Sequence, residues 1–228
     1  MIDKRVPSLE AALAGLTSGM TLMMSGFGGA GAPVNLMRAL ARHDARDLTV
    51  IINSLRFLEG QAPSLFDDRR VIAAVCSAFR GRGATPSAYE RQWQEGALKI
   101  ELSPQGTFAE RIRAGGAGIP AFFTPTAAGL ELGEGKEVRS FDGRPAVLET
   151  ALKADFAFLR AAEADRMGNI RFHGTQGNFG PAMAMASKVA VVEVGVVSET
   201  LLPPDRIHCP GVYVNRVIHA PETGEILG

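Results

Sequence analysis

The stretch TLMMSGFGGAGAP, residues 21–33, joins an apolar run to a glycine-rich turn. The run 21–25 is typical of a buried strand, and Pro33 stands where the first turn of a helix tolerates a missing N–H. Gly26, Gly28 and Gly31 have the G-x-G-x-x-G spacing of a dinucleotide-binding turn. The pattern predicts a strand, a tight turn and a helix. The glycine spacing makes the turn a candidate ligand-binding site.

The same alternation of strands and helices continues along the chain. Helices are predicted over 8–16, 34–43 and 87–98 and from Thr107 to Gly116, and strands over 21–25, 48–53, 71–76, 99–103, 146–152, 155–162 and 189–197. Strands that alternate with helices of this length indicate an α/β fold with a mostly parallel open sheet flanked by helices. Short connections favour a single domain over residues 1–228. The exception is the segment 115–143, rich in Gly, Ala, Pro and Thr, which we interpret as a functional or flexible loop.

Composition narrows the class of protein. Hydrophobic residues make up 46% of the chain, and Lys+Arg and Asp+Glu both number 24, so a basic surface for nucleic acid or anionic membranes is not expected. The two cysteines, Cys76 and Cys209, lie far apart and form no CxxC pair, which suits a reducing compartment. No signal peptide or membrane-length apolar run is present, so we expect a cytoplasmic protein.

The dinucleotide interpretation requires an acidic residue at the end of the second strand, to bind the ribose hydroxyls. That strand ends in the sequence Ile52-Asn53-Ser54-Leu55-Arg56, without a carboxylate. Of the dinucleotides, only NADP remains possible, because Arg56 could bind its 2′-phosphate. The glycine turn otherwise has two interpretations: it brings backbone and a helix N-terminus close to an anionic or acyl ligand, or it relieves crowding in a tight strand–helix crossover.

A catalytic nucleophile is hard to find in the chain. Cys76 ends an apolar strand and is expected to be a small buried hydrophobe. Glu163, Asp165 and His173 lack metal-ligand spacing, so no metal site is predicted and we interpret them as solvated charges. Glu193 interrupts an apolar strand; it is either buried and functional or faces water from an edge strand, and we favour the edge strand.

Several motifs together resemble a known family. They are SGFGGAGAP, ELSPQGTFAERIRAGGAGIPAFFTPTAAG, EGKEVRSFDGRPAVLE, ADFAFLRAAEADRMGNI, NFGPAMAMASKVAVVEV and IHCPGVYVNRVI. Over residues 1–220 the chain resembles the α (A) subunit of family I CoA-transferases, in particular 3-oxoacid and 3-oxoadipate CoA-transferases. The resemblance implies the CoA-transferase (NagB/RpiA-like) fold.

The resemblance also implies an activity. These enzymes move CoA from an acyl-CoA such as succinyl-CoA to a 3-oxo acid, by covalent catalysis at a glutamate of the β half that lies in a Glu-Asn-Gly context. This sequence contains no Glu-Asn-Gly. We therefore expect a separate B subunit to supply the glutamate, in an α2β2 or similar hetero-oligomer. The CoA thioester would be a substrate, and no permanently bound cofactor is expected.

Site residues are carried over position by position. Gln105, in Pro104-Gln105-Gly106, matches a glutamine that approaches the acyl or acid substrate and can donate to a developing oxyanion. The segment matched to CoA or acyl binding consists of Ser25, Gly26, Phe27, Gly28, Gly29, Ala30 and Gly31. The predicted substrate-binding residues are Asn53, Ser54 and Arg56.

The chain departs from the family pattern after Asn53. Ser54 replaces a second asparagine, and Leu55-Arg56 replaces Ala-Gly. Arg56, Arg80 and Arg82 either bind a second carboxylate of a 3-oxo dicarboxylate or are solvated or part of an interface between subunits. Two other functions stay open at this point: a CoA-thioester hydrolase or ring-cleaving hydrolase on the same scaffold, and a non-catalytic nucleotide-binding module.

Overall fold

The computed structural model describes residues 2–81 and 85–220. The strands are β1 (Thr21–Met24), β2 (Leu48–Ile52), β3 (Val71–Cys76), β4 (Lys99–Leu102), β5 (Ala121–Thr124), β6 (Val138–Phe141), β7 (Arg144–Thr150), β8 (Ala154–Ala164), β9 (Ile170–Arg171), β10 (Ser187–Val197) and β11 (Arg216–His219). The α-helices are α1 (Leu9–Ala12), α2 (Val34–Arg42), α3 (Leu55–Gln61), α4 (Ser64–Asp67), α5 (Ala88–Gln94), α6 (Gln105–Gly116) and α7 (Gly180–Met185).

The large sheet is open and almost wholly parallel, as the sequence predicts. Its order is β11-β10-β8-β1-β2-β3-β4, and every neighbouring pair on this path is parallel; only the short β9, beside β8, is antiparallel. The chain begins in the middle of the sheet, moves outward from β1 to β4, and returns to β8 on the other side of β1. Such a reversal beside β1 is where open α/β sheets place their ligands, at the carboxyl ends of the strands.

The central strands of the sheet are covered on both faces, which explains their apolar sequences, whereas the edge strand β4 is largely exposed. Leu22 and Met24 of β1 belong to one core, whereas Met23 between them belongs to the other. In the same way Val50 and Ile52 of β2 pack on one face and Ile51 on the other. Side chains alternate across a strand, so a strand buried on both sides shows no polar alternation in its sequence.

The segment 115–143 is not a loop, and that prediction is wrong. It supplies β5 and β6, which pair with β7 in a separate antiparallel sheet of order β5-β7-β6. The side chains of β6 are exposed throughout, so the strand leaves no apolar pattern in the sequence. Buried Glu149 of β7 anchors this sheet through a 2.6 Å ion pair with Lys136 and a 3.8 Å ion pair with Arg111 of α6.

Within the described ranges, the structure contains no helix of the length and apolarity that crossing a bilayer requires.

Candidate active site

The glycine-rich segment forms a tight turn at the carboxyl end of β1. Phe27 and Ala30 exchange both backbone hydrogen bonds, each 3.1 Å long. The two residues between them, Gly28 and Gly29, have φ of 56° and 86°, the left-handed backbone of a type I′ turn that favours glycine. The N–H groups of Gly28 and Gly29 have no hydrogen-bond partner in the part of the chain that the structure describes; Gly28 is exposed, whereas Gly29 is buried.

Two side chains hold this turn against the sheet. Ser25, buried at the end of β1, donates from Oγ to the carbonyl oxygen of Gly31 at 2.7 Å. Asn178 accepts from the N–H of Gly26 at 3.1 Å and donates to the carbonyl oxygen of Ala30 at 2.9 Å. The turn is therefore fixed at both ends before any ligand arrives.

Glu193 is buried beneath helix α2, and the prediction that it faces water from an edge strand is wrong. Strand β10 lies between β8 and β11, and Glu193 is 1% exposed. Its carboxylate accepts from the N–H of Leu36 (2.9 Å), from Asn35 Nδ2 (3.3 Å) and from Arg160 Nη1 (3.3 Å). Burial raises the pKa of Glu193 to about 7, although the Leu36 N–H and Arg160 act in the opposite direction.

The position of this carboxylate argues against a dinucleotide at the glycine turn. In dinucleotide-binding folds the pyrophosphate lies at the N-terminus of the helix that follows the turn. Here the Glu193 carboxylate occupies the N-terminus of α2 from inside the protein. Of the two interpretations that the sequence leaves open for the turn, the one in which this helix N-terminus meets an anionic ligand is therefore contradicted.

A cluster of polar side chains lies at the same sheet edge, at the ends of β2, β3 and β4. Asn53 Nδ2 donates to Gln105 Oε1 at 2.7 Å and to Ser77 Oγ at 2.6 Å, while Ser77 Oγ is 2.6 Å from Gln105 Oε1. Both acceptor positions of the Gln105 oxygen are thus used. The Gln105 amide nitrogen keeps its two N–H groups, with no acceptor among the described residues.

Helix α6 adds backbone donors at the same place. It begins at Gln105, and its N-cap residue Pro104 gives no side-chain cap. The N–H groups of Gln105, Gly106 and Thr107 precede the first intrahelical bond, from the Phe108 N–H to Pro104, so the helix leaves them unpaired. The positive end of the helix dipole favours a negative charge here. The N-terminus of α6 therefore has no side-chain cap, whereas the N-terminus of α2 is capped by the carboxylate of Glu193.

A cavity of about 760 Å³ brings most of the predicted site residues together. Its lining includes the predicted residues Phe27, Gly28, Asn53, Ser54, Arg56 and Gln105. Ser25, Gly26 and Gly29 line a much smaller adjoining hollow, of about 20 Å³, together with Gly28 and Asn53. Ala30 and Gly31 line neither space and belong to the base of the turn.

Several residues of this cavity were not predicted from the sequence. Phe57, Glu59, Gly60, Gln61, Ala78, Thr85 and Ser87 complete its lining. Burial raises the pKa of Glu59, whose carboxylate accepts from the N–H of Ala88 at 2.7 Å at the start of α5. Ser77 was also missed. It directly follows β3, at the same sheet edge as Asn53, and that placement after an apolar strand was the available signal.

The remaining candidates lie elsewhere. Arg80 is exposed in a neighbouring hollow, and Arg82 lies outside the described residues. Burial raises the pKa of Cys76 to about 12, as expected of a thiol that serves as a buried hydrophobe. Asp165 is buried rather than solvated and accepts from the N–H groups of Met167 (2.9 Å) and Asn169 (3.1 Å) in the β8–β9 turn. Residues 2–81 and 85–220 contain no group of side chains that could hold a metal ion.

The family model described as Coenzyme A transferase matches residues 6–220. The chain belongs to this family. It is 44% identical to the A subunit of the succinyl-CoA:3-ketoacid coenzyme A transferase of Xanthomonas campestris pv. campestris (strain B100), over 94% of this chain and 88% of the relative. It is 43% identical to the A subunit of the 3-oxoadipate CoA-transferase of Pseudomonas putida, over 96% and 94%. The resemblance to CoA-transferase A subunits is confirmed.

A solved structure extends the comparison to another reaction. A variant of the decarboxylase AibA/AibB matches with a TM-score of 0.78 and 26% identity, over 97% of this chain and 84% of that chain. The family fold is therefore confirmed in three dimensions. Because this scaffold also occurs in a decarboxylase, the fold alone does not determine the reaction.

Proposed function

We propose that this chain is the A subunit of a CoA-transferase that moves CoA from an acyl-CoA, succinyl-CoA in the first instance, to a 3-oxo acid. A separate B subunit supplies the nucleophilic glutamate, and the two subunits form a hetero-oligomer. The names of the two relatives, both at more than 40% identity, support the donor and the class of acceptor.

The residues that line the cavity support a divided active site. Glu59 is the one carboxylate in the described lining, and it is bound to the backbone of α5. The hydroxyl groups of Ser54, Thr85 and Ser87 have no histidine beside them in that lining to act as a base. The cavity is equipped to bind and polarise a substrate, and the nucleophile enters from outside the chain.

In this mechanism the partner's glutamate attacks the thioester carbonyl carbon, and CoA leaves as the thiolate while an acyl–glutamyl anhydride forms. The thiolate then attacks the glutamyl carbonyl carbon, which releases the donor acid as its carboxylate and leaves a glutamyl-CoA thioester. The acceptor carboxylate reverses these steps. Each attack places negative charge on a carbonyl oxygen, and oriented donors that stabilise this charge accelerate the reaction.

Gln105 is the residue of this chain that we assign to that charge. The observation that carries the assignment is the pair of bonds to its oxygen from Asn53 and Ser77, which leaves the amide N–H groups unpaired at the cavity wall. The open N-terminus of α6 supports the same donor site. The glycine turn contributes the N–H group of Gly28, which lines the cavity, to the CoA thioester.

The experiment is CoA transfer from succinyl-CoA to acetoacetate or to 3-oxoadipate, with this chain alone and with the chain co-purified with its B subunit. We expect acyl exchange only in the two-subunit sample and only when an acceptor acid is present. Loss of the thioester without an acceptor would instead make the protein a hydrolase, the alternative that the altered sequence after Asn53 supports. No turnover in either sample would favour a non-catalytic binding module.

A further inference from the structure

We propose that Arg56 binds the distal carboxylate of a dicarboxylic substrate, so that the enzyme selects dicarboxylic over monocarboxylic acyl groups. The proposal rests on the function proposed above and adds the class of acid that this cavity accepts.

Arg56 stands at the right place for this role. It lies in the first turn of α3, three residues after Asn53, and it lines the same cavity as Gln105. Asn53 and Gln105 form the polar cluster that we assign to the reacting carboxyl group. A substrate with its reacting carboxyl at that cluster therefore has a cation in the wall of the same cavity for its other end.

The fold itself gains little from an arginine at this position. Arg56 is exposed, and it forms no hydrogen bond or ion pair with any residue in the described ranges. A cation in the first turn also faces the positive end of the helix dipole, which disfavours it. A guanidinium without a protein partner on the cavity wall is available to a ligand.

The nearest carboxylate along the helix does not neutralise this charge. Glu59 lies three residues after Arg56, a spacing at which opposite charges commonly pair on a helix. Instead the Glu59 carboxylate accepts from the N–H of Ala88. The charge of Arg56 is therefore not neutralised by Glu59. Arg56 is also the one cation in the described lining of the cavity. A guanidinium can hold a carboxylate by two parallel hydrogen bonds, which gives both affinity and discrimination.

Two anionic groups of the substrates could meet Arg56: a distal carboxylate and the phosphates of CoA. They are separable because the phosphates are present in every CoA thioester, whereas the distal carboxylate is present only in some. In the exchange the donor acid and the acceptor acid occupy the same place in alternate halves of the cycle. Arg56 should therefore act on succinyl-CoA as a donor and on 3-oxoadipate as an acceptor alike.

The test uses the two-subunit enzyme as wild type, Arg56→Ala, Arg56→Lys and Arg42→Ala, the last an exposed arginine of α2 outside the cavity. The acceptors are 3-oxoadipate and acetoacetate, and the donors are succinyl-CoA and acetoacetyl-CoA. We expect Arg56→Ala to lower kcat/KM for 3-oxoadipate and succinyl-CoA about 10- to 100-fold, the range for losing a charged hydrogen-bonding partner. For acetoacetate and acetoacetyl-CoA, kcat/KM of the same variant should change less than about twofold. The Arg56→Lys enzyme should retain part of the preference for dicarboxylic over monocarboxylic substrates, and the Arg42→Ala enzyme should retain all of it.

Each other outcome contradicts the proposal. Equal losses for both CoA thioesters, with both free acids unaffected, would assign Arg56 to the phosphates of CoA. An equal loss for all four substrates would make Arg56 structural, and no loss would make it a solvated surface residue. A wild-type enzyme that transfers CoA to neither acid would refute the proposed function, and the role of Arg56 would fall with it; this failure is recognised in the wild type alone, before any variant is compared.

Discussion

Glu193 Oε2 accepts a hydrogen bond from the backbone N–H of Leu36 at 2.9 Å, so a buried carboxylate of strand β10 caps the helix that follows the glycine turn. The same carboxylate meets Arg160, whose backbone N–H lies 3.4 Å from Ser25 Oγ. Ser25 in turn donates to Gly31. One buried polar chain thus crosses β10, β8 and β1 and ends at the turn, so the N-terminus of α2 is occupied from within the protein.

The first prediction concerns stability and pH at Glu193. Its pKa is raised to about 7 in the folded protein, so folding favours the protonated acid. The contribution of this group to the free energy of unfolding is therefore fully present below pH 4.5 and is lost as the pH rises to about 7. The loss amounts to about 3 kcal/mol, at about 1.4 kcal/mol for each pKa unit.

The Glu193→Gln variant lacks this titration. Urea denaturation of wild type and variant at pH 5 and pH 8 measures the difference directly and cancels the other ionising groups. We expect the stability of the variant, relative to wild type, to rise between pH 5 and pH 8. A constant relative stability would show that Glu193 keeps an ordinary pKa, and a falling one would show that folding lowers its pKa; either result contradicts the prediction.

The second prediction concerns the orientation of the Gln105 amide. Asn53→Asp replaces the donor to Gln105 Oε1 by an acceptor, which turns the amide so that its oxygen faces the cavity. We expect kcat to fall about 100-fold, the usual cost of losing one donor to a developing oxyanion. Asn53→Ala removes the donor without reversing the amide, and Ser77→Ala leaves the Asn53 bond in place, so both should lose less.

The measurement is kcat of the two-subunit enzyme for the three variants, with thermal unfolding as a check that each is folded. If kcat of Asn53→Asp is no lower than kcat of Asn53→Ala, the direction of the Gln105 amide does not matter for catalysis.

The third prediction compares two glycines of the turn. Gly31 has φ of 71°, and a Cβ added there would lie 2.2 Å from the backbone oxygen of Gln176. Gly28 has φ of 56° but open space where its Cβ would point. We expect Gly31→Ala to cost about 4 kcal/mol or more and Gly28→Ala about 1 kcal/mol, since only the first adds a backbone clash to an unfavourable φ. Urea unfolding of both variants tests this, and equal losses would show that the loop 174–178 yields without cost.

The parallel sheet could be predicted from the sequence because strands that pack on both faces have almost wholly apolar sequences, as at residues 48–52. The small antiparallel sheet could not, because exposed β6 has no such run. The burial of Glu193 could not be predicted for a different reason. Its burial depends on β11 adding to the sheet beyond β10, and local sequence does not reveal the order of strands.

The site was predictable in part for similar reasons. Asn53 is the last residue of a predicted strand, and Gln105 lies between a predicted strand and a predicted helix, at the sheet edge where the fold class places ligands. Glu59 and Ser87 come into the cavity through the packing of α3 beside α5, a tertiary contact with no local signature. The closed N-terminus of α2 is likewise a contact between residues more than 150 positions apart.

The most direct test of the divided active site is to locate the covalent intermediate. The two-subunit enzyme is incubated with succinyl-CoA and no acceptor, and the intact mass of each subunit is measured. We predict that the B subunit gains the mass of CoA less one water, as a glutamyl-CoA thioester, that this chain gains nothing, and that added 3-oxo acid removes the adduct. An adduct on this chain, at Glu59 or elsewhere, would contradict the account, as would acyl exchange that leaves neither subunit modified.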